Sequence, residues 1–373
     1  MSQVPFFRPI SKDIAPDLLR EALSGDRLKL LTQLEKRVAD YLGAPYAIAA
    51  TNPATAIHLA LCAIDMKRGD KIFSSVNAHP AASQMIRHFD AEPRFVDIDP
   101  DSFNMSFDDL EEKLAQNRAK KIRGIFYTLA AGQSDGLERL FKIAKKREVL
   151  SIVESFGAFG FPKTLKNSAP DILVTSLLPI DCFSASANVG FIATHNQEFA
   201  KRAKQFRNYA LDYENAANTP YAYDAIDVGY DYQPSALDIA YAIDVLPFYE
   251  EDRGRRAKNA DRYDEAFGDL AHITPPVKKG DHAYSSYIIK VDKNRDDFAR
   301  ALLAKGIETR VHYIPLHLMS YYRAKYSIKI TDFPRALSNY QHILSLPNFT
   351  DMSDEEREIV IDAVKEVDQN RAW

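Results

Sequence analysis

Ser176-Leu-Leu-Pro-Ile-Asp-Cys-Phe-Ser-Ala-Ser-Ala-Asn-Val-Gly-Phe-Ile-Ala-Thr194 follows the apolar run Ile172-Leu173-Val174 and ends in a second run, Val189 to Ala193, with Gly190 inside it. Short apolar runs on either side of a loop read as strand, loop, strand. Working outward toward the N-terminus, the same reading gives strands at Leu150 to Glu154, Ile122 to Leu129, Arg94 to Asp99, Lys71 to Ser75 and Tyr46 to Ala50. Helical spacing lies between them, at Leu137 to Arg147, at Phe107 to Leu114 with Phe107, Leu110 and Leu114 inward, and at Ala56 to Met66. Two more helices, Pro16 to Leu23 and Leu28 to Leu42, stand in front. A repeat of strand, helix, strand predicts an α/β protein with a mainly parallel sheet and helices on both faces.

Beyond Thr194 the pattern turns helical from Asn196 through Arg207-Asn208. The Tyr- and Asp-rich stretch from Thr219 to Gln233 reads as an irregular loop. Ser235 to Tyr249 and Arg255 to Leu270 read as long helices, Tyr284 to Val291 and Thr309 to Tyr313 as strands, and Phe298 to Lys305 and Ser353 to Val367 as helices. These last elements predict a smaller C-terminal α/β lobe. The expected division is residues 1–245 for a large domain and 246–373 for the small one.

The chain of 373 residues is 46% apolar, enough for a large core and two lobes. A formal charge of −4 gives no electrostatic case for nucleic acid. No apolar run reaches the about 20 residues that span a bilayer, and the first residues lack a signal-peptide pattern. Cys62 and Cys182 are too few for a disulfide framework. A cytoplasmic protein without a membrane partner is the expectation. Asp97, Asp99 and Asp101 alternate as metal ligands sometimes do.

Several stretches, in order and spacing, resemble the DegT/DnrJ/EryC1/StrS family of nucleotide-sugar aminotransferases. Thr51-Asn52 followed by Ala56-Ile-His-Leu-Ala-Leu61 is similar to the family's Asn-Gly-Thr-Ala-Ala-Leu-His-Leu-Ala-Leu. Arg94-Phe-Val-Asp-Ile-Asp-Pro100, Gly132-Gln133 and Arg207-Asn208 also have counterparts. Gly306-Ile-Glu-Thr309 with Val311-His-Tyr-Ile-Pro-Leu-His317 resembles Gly-Ile-Glu-Thr-x-x-His-Tyr-x-Pro-Leu-His, and Leu344-Ser-Leu-Pro347 follows. The resemblance covers nearly the whole chain. It implies a fold type I architecture, pyridoxal phosphate or its amine form as cofactor, a nucleotide-linked sugar as ligand and a homodimer. It also places the run of Asp97, Asp99 and Asp101 at a strand end with no metal, so that run is read as structural and no metal is expected.

The resemblance also places the site. The family's Ser-Phe-x-Pro-x-Lys matches at Ser176 and Pro179, and its lysine falls on Asp181. A carboxylate forms no imine, so the covalent anchor is lost. The phosphate turn keeps Asn52 but reads Pro53-Ala54 where the family has Gly-Thr. Proline brings no N–H to a helix N-terminus. The residue that reaches the neighbouring subunit's phosphate falls on Asp231, whose charge opposes a phosphate. The stacking aromatic falls on Ala78, with His79 beside it. The aspartate facing the pyridine nitrogen falls on Glu154, and the phosphate serine is Ser176. His312, Tyr313 and His317 are candidates for the sugar nucleotide.

Most of these positions have two readings. Asp181 is a general base or a solvated loop residue in an emptied pocket. Glu154 faces a ligand ring or caps a helix. His312, Tyr313 and His317 touch ligand or pack the small lobe; the Tyr213 to Tyr232 loop binds a base or sugar, or forms a dimer contact. Because the changes together weaken cofactor binding, the expected protein is a degenerate family member from modified-sugar or polysaccharide synthesis. The alternatives are an active aminotransferase or dehydratase with non-covalent cofactor and Asp181 or Glu154 as acid/base, and a non-catalytic partner of a lysine-bearing paralogue.

Overall fold

The computed structural model describes residues 4–8, 15–116, 121–160, 169–177, 188–213 and 222–370. Pro179 and Asp181 lie outside the described residues.

A seven-stranded sheet organises the larger part of the chain. Its strands are β1 (Tyr46–Ala50), β2 (Lys71–Ser75), β3 (Glu92–Val96), β4 (Ile122–Thr128), β5 (Leu150–Phe156), β6 (Ile172–Ser176) and β7 (Gly190–Thr194). Their order is β1-β7-β6-β5-β4-β2-β3. Neighbours from β3 through β6 are parallel, whereas β7 runs antiparallel to both β6 and β1. β7 is thus antiparallel to the strand that precedes it in the chain, whereas β2 to β6 are parallel to one another and are joined by crossovers.

Helices cover both faces: α1 (Pro16–Ser24), α2 (Arg27–Leu42), α3 (Pro53–Ala63), α4 (Ala81–His88), α5 (Phe107–Gln116), α6 (Leu137–Arg147) and α7 (Gln197–Arg207). Strand residues alternate between two cores as the pleat requires. Ile152 and Ile172 pack with α3, α4 and α7, whereas Val153 and Leu173 pack with α5 and α6. Both faces being covered, β6 and β7 are buried along their length.

The chain continues through the short strands β8 (Leu211–Asp212) and β9 (Asp224–Ala225) to α8 (Ala236–Val245) and α9 (Tyr249–Phe267). It ends with β10 (Ile273–Thr274), β11 (Tyr287–Val291), α10 (Arg295–Ala304), α11 (Ser320–Tyr326), α12 (Pro334–His342), β12 (Ile343–Leu346) and α13 (Asp354–Gln369). β10, β11 and β12 form an antiparallel sheet. It shares a core with α9, α10 and α13 through Tyr263, Tyr287, Phe298 and Val364, and Val4 from the N-terminal segment is buried in it.

Two details differ from the sequence reading. The break between α8 and α9 falls at Pro247, in a 3₁₀ turn over Leu246–Phe248, and α9 then runs through Gly254. Proline sets the break because it offers no N–H to the helix ladder. Thr309 to Tyr313 is no strand. It contributes only the bridge Arg310↔Ser345, because Tyr313 N donates to Asn77 Oδ1 at 3.2 Å and Leu316 N to Val76 O at 2.8 Å. The Asp97 carboxylate accepts from Arg335 N and Ala336 N at 3.1 and 2.9 Å, capping α12 from far along the chain. Among the described residues, no helix is long and apolar enough to cross a membrane.

Candidate active site

Glu154 lies near the C-terminal end of β5, directly opposite Thr128 of β4 in the parallel register. Ligands of open α/β sheets gather at such strand ends. Glu154 is 9% exposed. It accepts a hydrogen bond from Thr128 Oγ1 at 2.8 Å and a longer one from Phe156 N at 3.5 Å. No ion pair reaches it among the described residues. Burial pushes its carboxyl up to about 7, with the two hydrogen bonds opposing the shift.

A cleft opens beside this carboxyl. Asn77, Thr128, Phe156, Ser286, His312 and Tyr313 line it with Glu154. The segment carrying His312 and Tyr313 is fixed to the end of β2 by the Asn77 and Val76 bonds given above. His312 Nδ1 lies 2.7 Å from Ser345 Oγ, and its ring is 5.5 Å from Phe6. His79 meets Tyr313 edge to face at 5.8 Å, while its Nδ1 accepts from Ala81 N at the start of α4. Ala78 is buried and carries no ring. His317 is elsewhere, fully buried against Phe333 at 5.2 Å, with burial pushing its imidazole down.

The other end of the expected site is the start of α3. Asn52 is its N-cap and Pro53 its first residue. Asn52 Oδ1 accepts from Thr55 N, and Thr55 Oγ1 accepts from Asn52 N, both at 3.0 Å. The reciprocal cap turns these donors inward, and Pro53 brings none. Ala54 follows with no hydroxyl. Gly190 of β7 passes so close to Asn52 that any Cβ there would meet the Asn52 carbonyl. Ser176, opposite Gly190 in the β6–β7 register, is fully buried. Asp231 is exposed on the loop after β9, with Tyr209 Oη 3.5 Å from its carboxylate. Its neighbour Tyr232 accepts from Thr51 N at 2.9 Å, so this loop touches the entry to α3.

The residues present fit a pyridoxal-type cofactor at one end only. A buried carboxyl with no ion-pair partner among the described residues suits a protonated ring nitrogen. The α3 N-terminus, where Thr55 N is taken by Asn52 and Pro53 has no N–H, is a poorer cradle for a dianionic phosphate. The sequence reading missed Thr128 and Asn77. Thr128 is visible only once β4 and β5 are placed side by side in register.

The architecture is that of pyridoxal-phosphate-dependent aminotransferases. The solved structure of Helicobacter pylori PseC, an aminotransferase involved in the biosynthesis of pseudoaminic acid, superposes with a TM-score of 0.87 over 99% of this chain and 100% of that one, at 19% identity. The chain belongs to the DegT/DnrJ/EryC1/StrS aminotransferase family, whose profile matches residues 17–365. Among relatives, it is 29% identical to the uncharacterized protein MJ1066 of Methanocaldococcus jannaschii, over 99% of each chain. It is 26% identical to the spore coat polysaccharide biosynthesis protein SpsC of Bacillus subtilis, over 90% of this chain and 88% of that one.

Proposed function

We propose that this chain is a degenerate member of its family: it lacks the covalent cofactor anchor, serves modified-sugar or polysaccharide synthesis, and binds a nucleotide-linked sugar without running ordinary transamination. The observation that carries this reading is the start of α3, where Pro53 and the Asn52–Thr55 cap leave a poor phosphate cup. Asp181 at the lysine position, Ala78 at the stacking position and Asp231 beside the α3 entry all weaken cofactor binding in the same direction. The roles of SpsC in spore coat polysaccharide biosynthesis and of PseC in the biosynthesis of pseudoaminic acid support the sugar setting. Exposed Tyr209, Tyr213, Tyr223, Ile226 and Val228 along one loop region support a second chain, most simply a copy of this one, covering that face.

Glu154 favours one other reading. A carboxyl that burial raises to about 7 exchanges its proton near neutral pH and is a competent acid or base, and it fits a cofactor ring bound without covalent attachment. Calorimetric titration of the purified protein with UDP- and GDP-linked sugars, with and without pyridoxal phosphate, separates the two. Saturable sugar-nucleotide binding that ignores pyridoxal phosphate supports the first reading. Binding only in its presence, with amino transfer to the sugar, overturns it.

A further inference from the structure

A second cavity, of about 560 Å³, lies at the far edge of the large sheet, between β3, α5 and the chain from α11 to α12. Its size is in the range of small-molecule sites, and it shares no lining residue with the Glu154 cleft. We propose that it binds a small ligand made of a planar ring and an anionic group. This does not depend on how the Glu154 cleft is read.

Aromatic rings supply the walls. Phe95 and Tyr326 meet edge to face at 5.8 Å, and Phe333 faces them from the start of α12. Such walls suit a flat ring. Two cations line the same space. Lys113 Nζ sits 4.5 Å over the Phe333 ring, held there by bonds to Phe95 O at 3.0 Å and Asp109 Oδ2 at 2.8 Å. Arg94, on β3, is tethered to Glu92 at 2.8 Å with much of its side chain exposed. Each cation is fixed by its carboxylate, which reduces the entropy lost on meeting an anion. Asp332 also lines the cavity, but its Oδ2 accepts from Lys329 N at 2.9 Å.

Tyr326 gives this space its ring, while its hydroxyl oxygen is sealed from solvent. Ring walls and fixed cations define complementary parts of one ligand.

The test uses the full chain and naphthalene-2-sulfonate, a ring with a permanent negative charge, in isothermal titration calorimetry. The expected result is saturable one-to-one binding, weakened roughly tenfold in Arg94→Gln. The change removes no core group, since much of the Arg94 side chain is exposed. Uncharged 2-naphthol should bind more weakly than the sulfonate. Absence of saturable binding overturns the proposal. So does binding that Arg94→Gln leaves unchanged, or that pyridoxal phosphate displaces.

Discussion

Thr128 and Glu154 stand side by side at the C-terminal ends of β4 and β5, and the threonine hydroxyl donates to the buried carboxyl at 2.8 Å. This bond favours the charged form of Glu154, while burial favours the neutral form more strongly. The folded-state value of about 7 lies above the ordinary 4.5. Between those values the folded chain holds a proton that the unfolded chain releases. Stability from neutral Glu154 is fully present below about pH 4.5 and falls as pH rises to 7, by about 3 kcal/mol. In Glu154→Gln this decline is expected to vanish. In Thr128→Val it is expected to extend to higher pH. Urea unfolding at intervals from pH 5 to 8 reads both. The comparison with the parent is needed because buried His58, pushed down to about 4, works in the opposite direction and loses stability as pH falls.

Gly190→Ala should disturb α3 directly. The added methyl would meet the Asn52 carbonyl and come within 2.8 Å of Ala56 Cβ. A loss of about 1–3 kcal/mol in denaturant unfolding is expected. A neutral result would mean that α3 shifts freely away from β7.

Glu35 and Arg207 form a buried ion pair that ties α2 and α7 to β1, with Arg207 Nη1 donating to Ala49 O at 2.8 Å and Ala49 N donating to Glu35 at 2.9 Å. Glu35→Ala strands the guanidinium and is expected to cost about 3–5 kcal/mol. The double change Glu35→Leu, Arg207→Leu should cost much less, because no unpaired charge remains. Thermal and urea unfolding of the three proteins checks the contrast.

Pro53→Gly with Ala54→Thr returns one N–H and one hydroxyl to the start of α3. Affinity for pyridoxal phosphate, followed by absorbance titration, should rise roughly tenfold. Unchanged affinity would mean that the α3 entry does not limit cofactor binding.

The α/β order was legible wherever apolar runs matched their element. Lys71 to Ser75 and Leu137 to Arg147 were found with their observed bounds. What could not be read depends on contacts between distant residues. α12 is capped by Asp97, more than two hundred positions earlier, so its start carries no local signal. Arg310 looks like a strand residue locally, but the amides after it are taken by Asn77 and Val76. In the cleft, the chain order indicated Glu154, whereas Thr128 required the register of two strands. His317 shares a short stretch with His312 and Tyr313, yet the 3₁₀ turn at Leu316–Leu318 accompanies its burial against Phe333.

The central claim is that this chain has no covalent hold on a pyridoxal cofactor. Intact-mass spectrometry after saturation with pyridoxal phosphate and borohydride reduction tests it most directly. The account predicts no stoichiometric label on the natural chain and a single label on Asp181→Lys. One label per natural chain, at a single lysine, would contradict it and make the protein a candidate for ordinary transaminase assays.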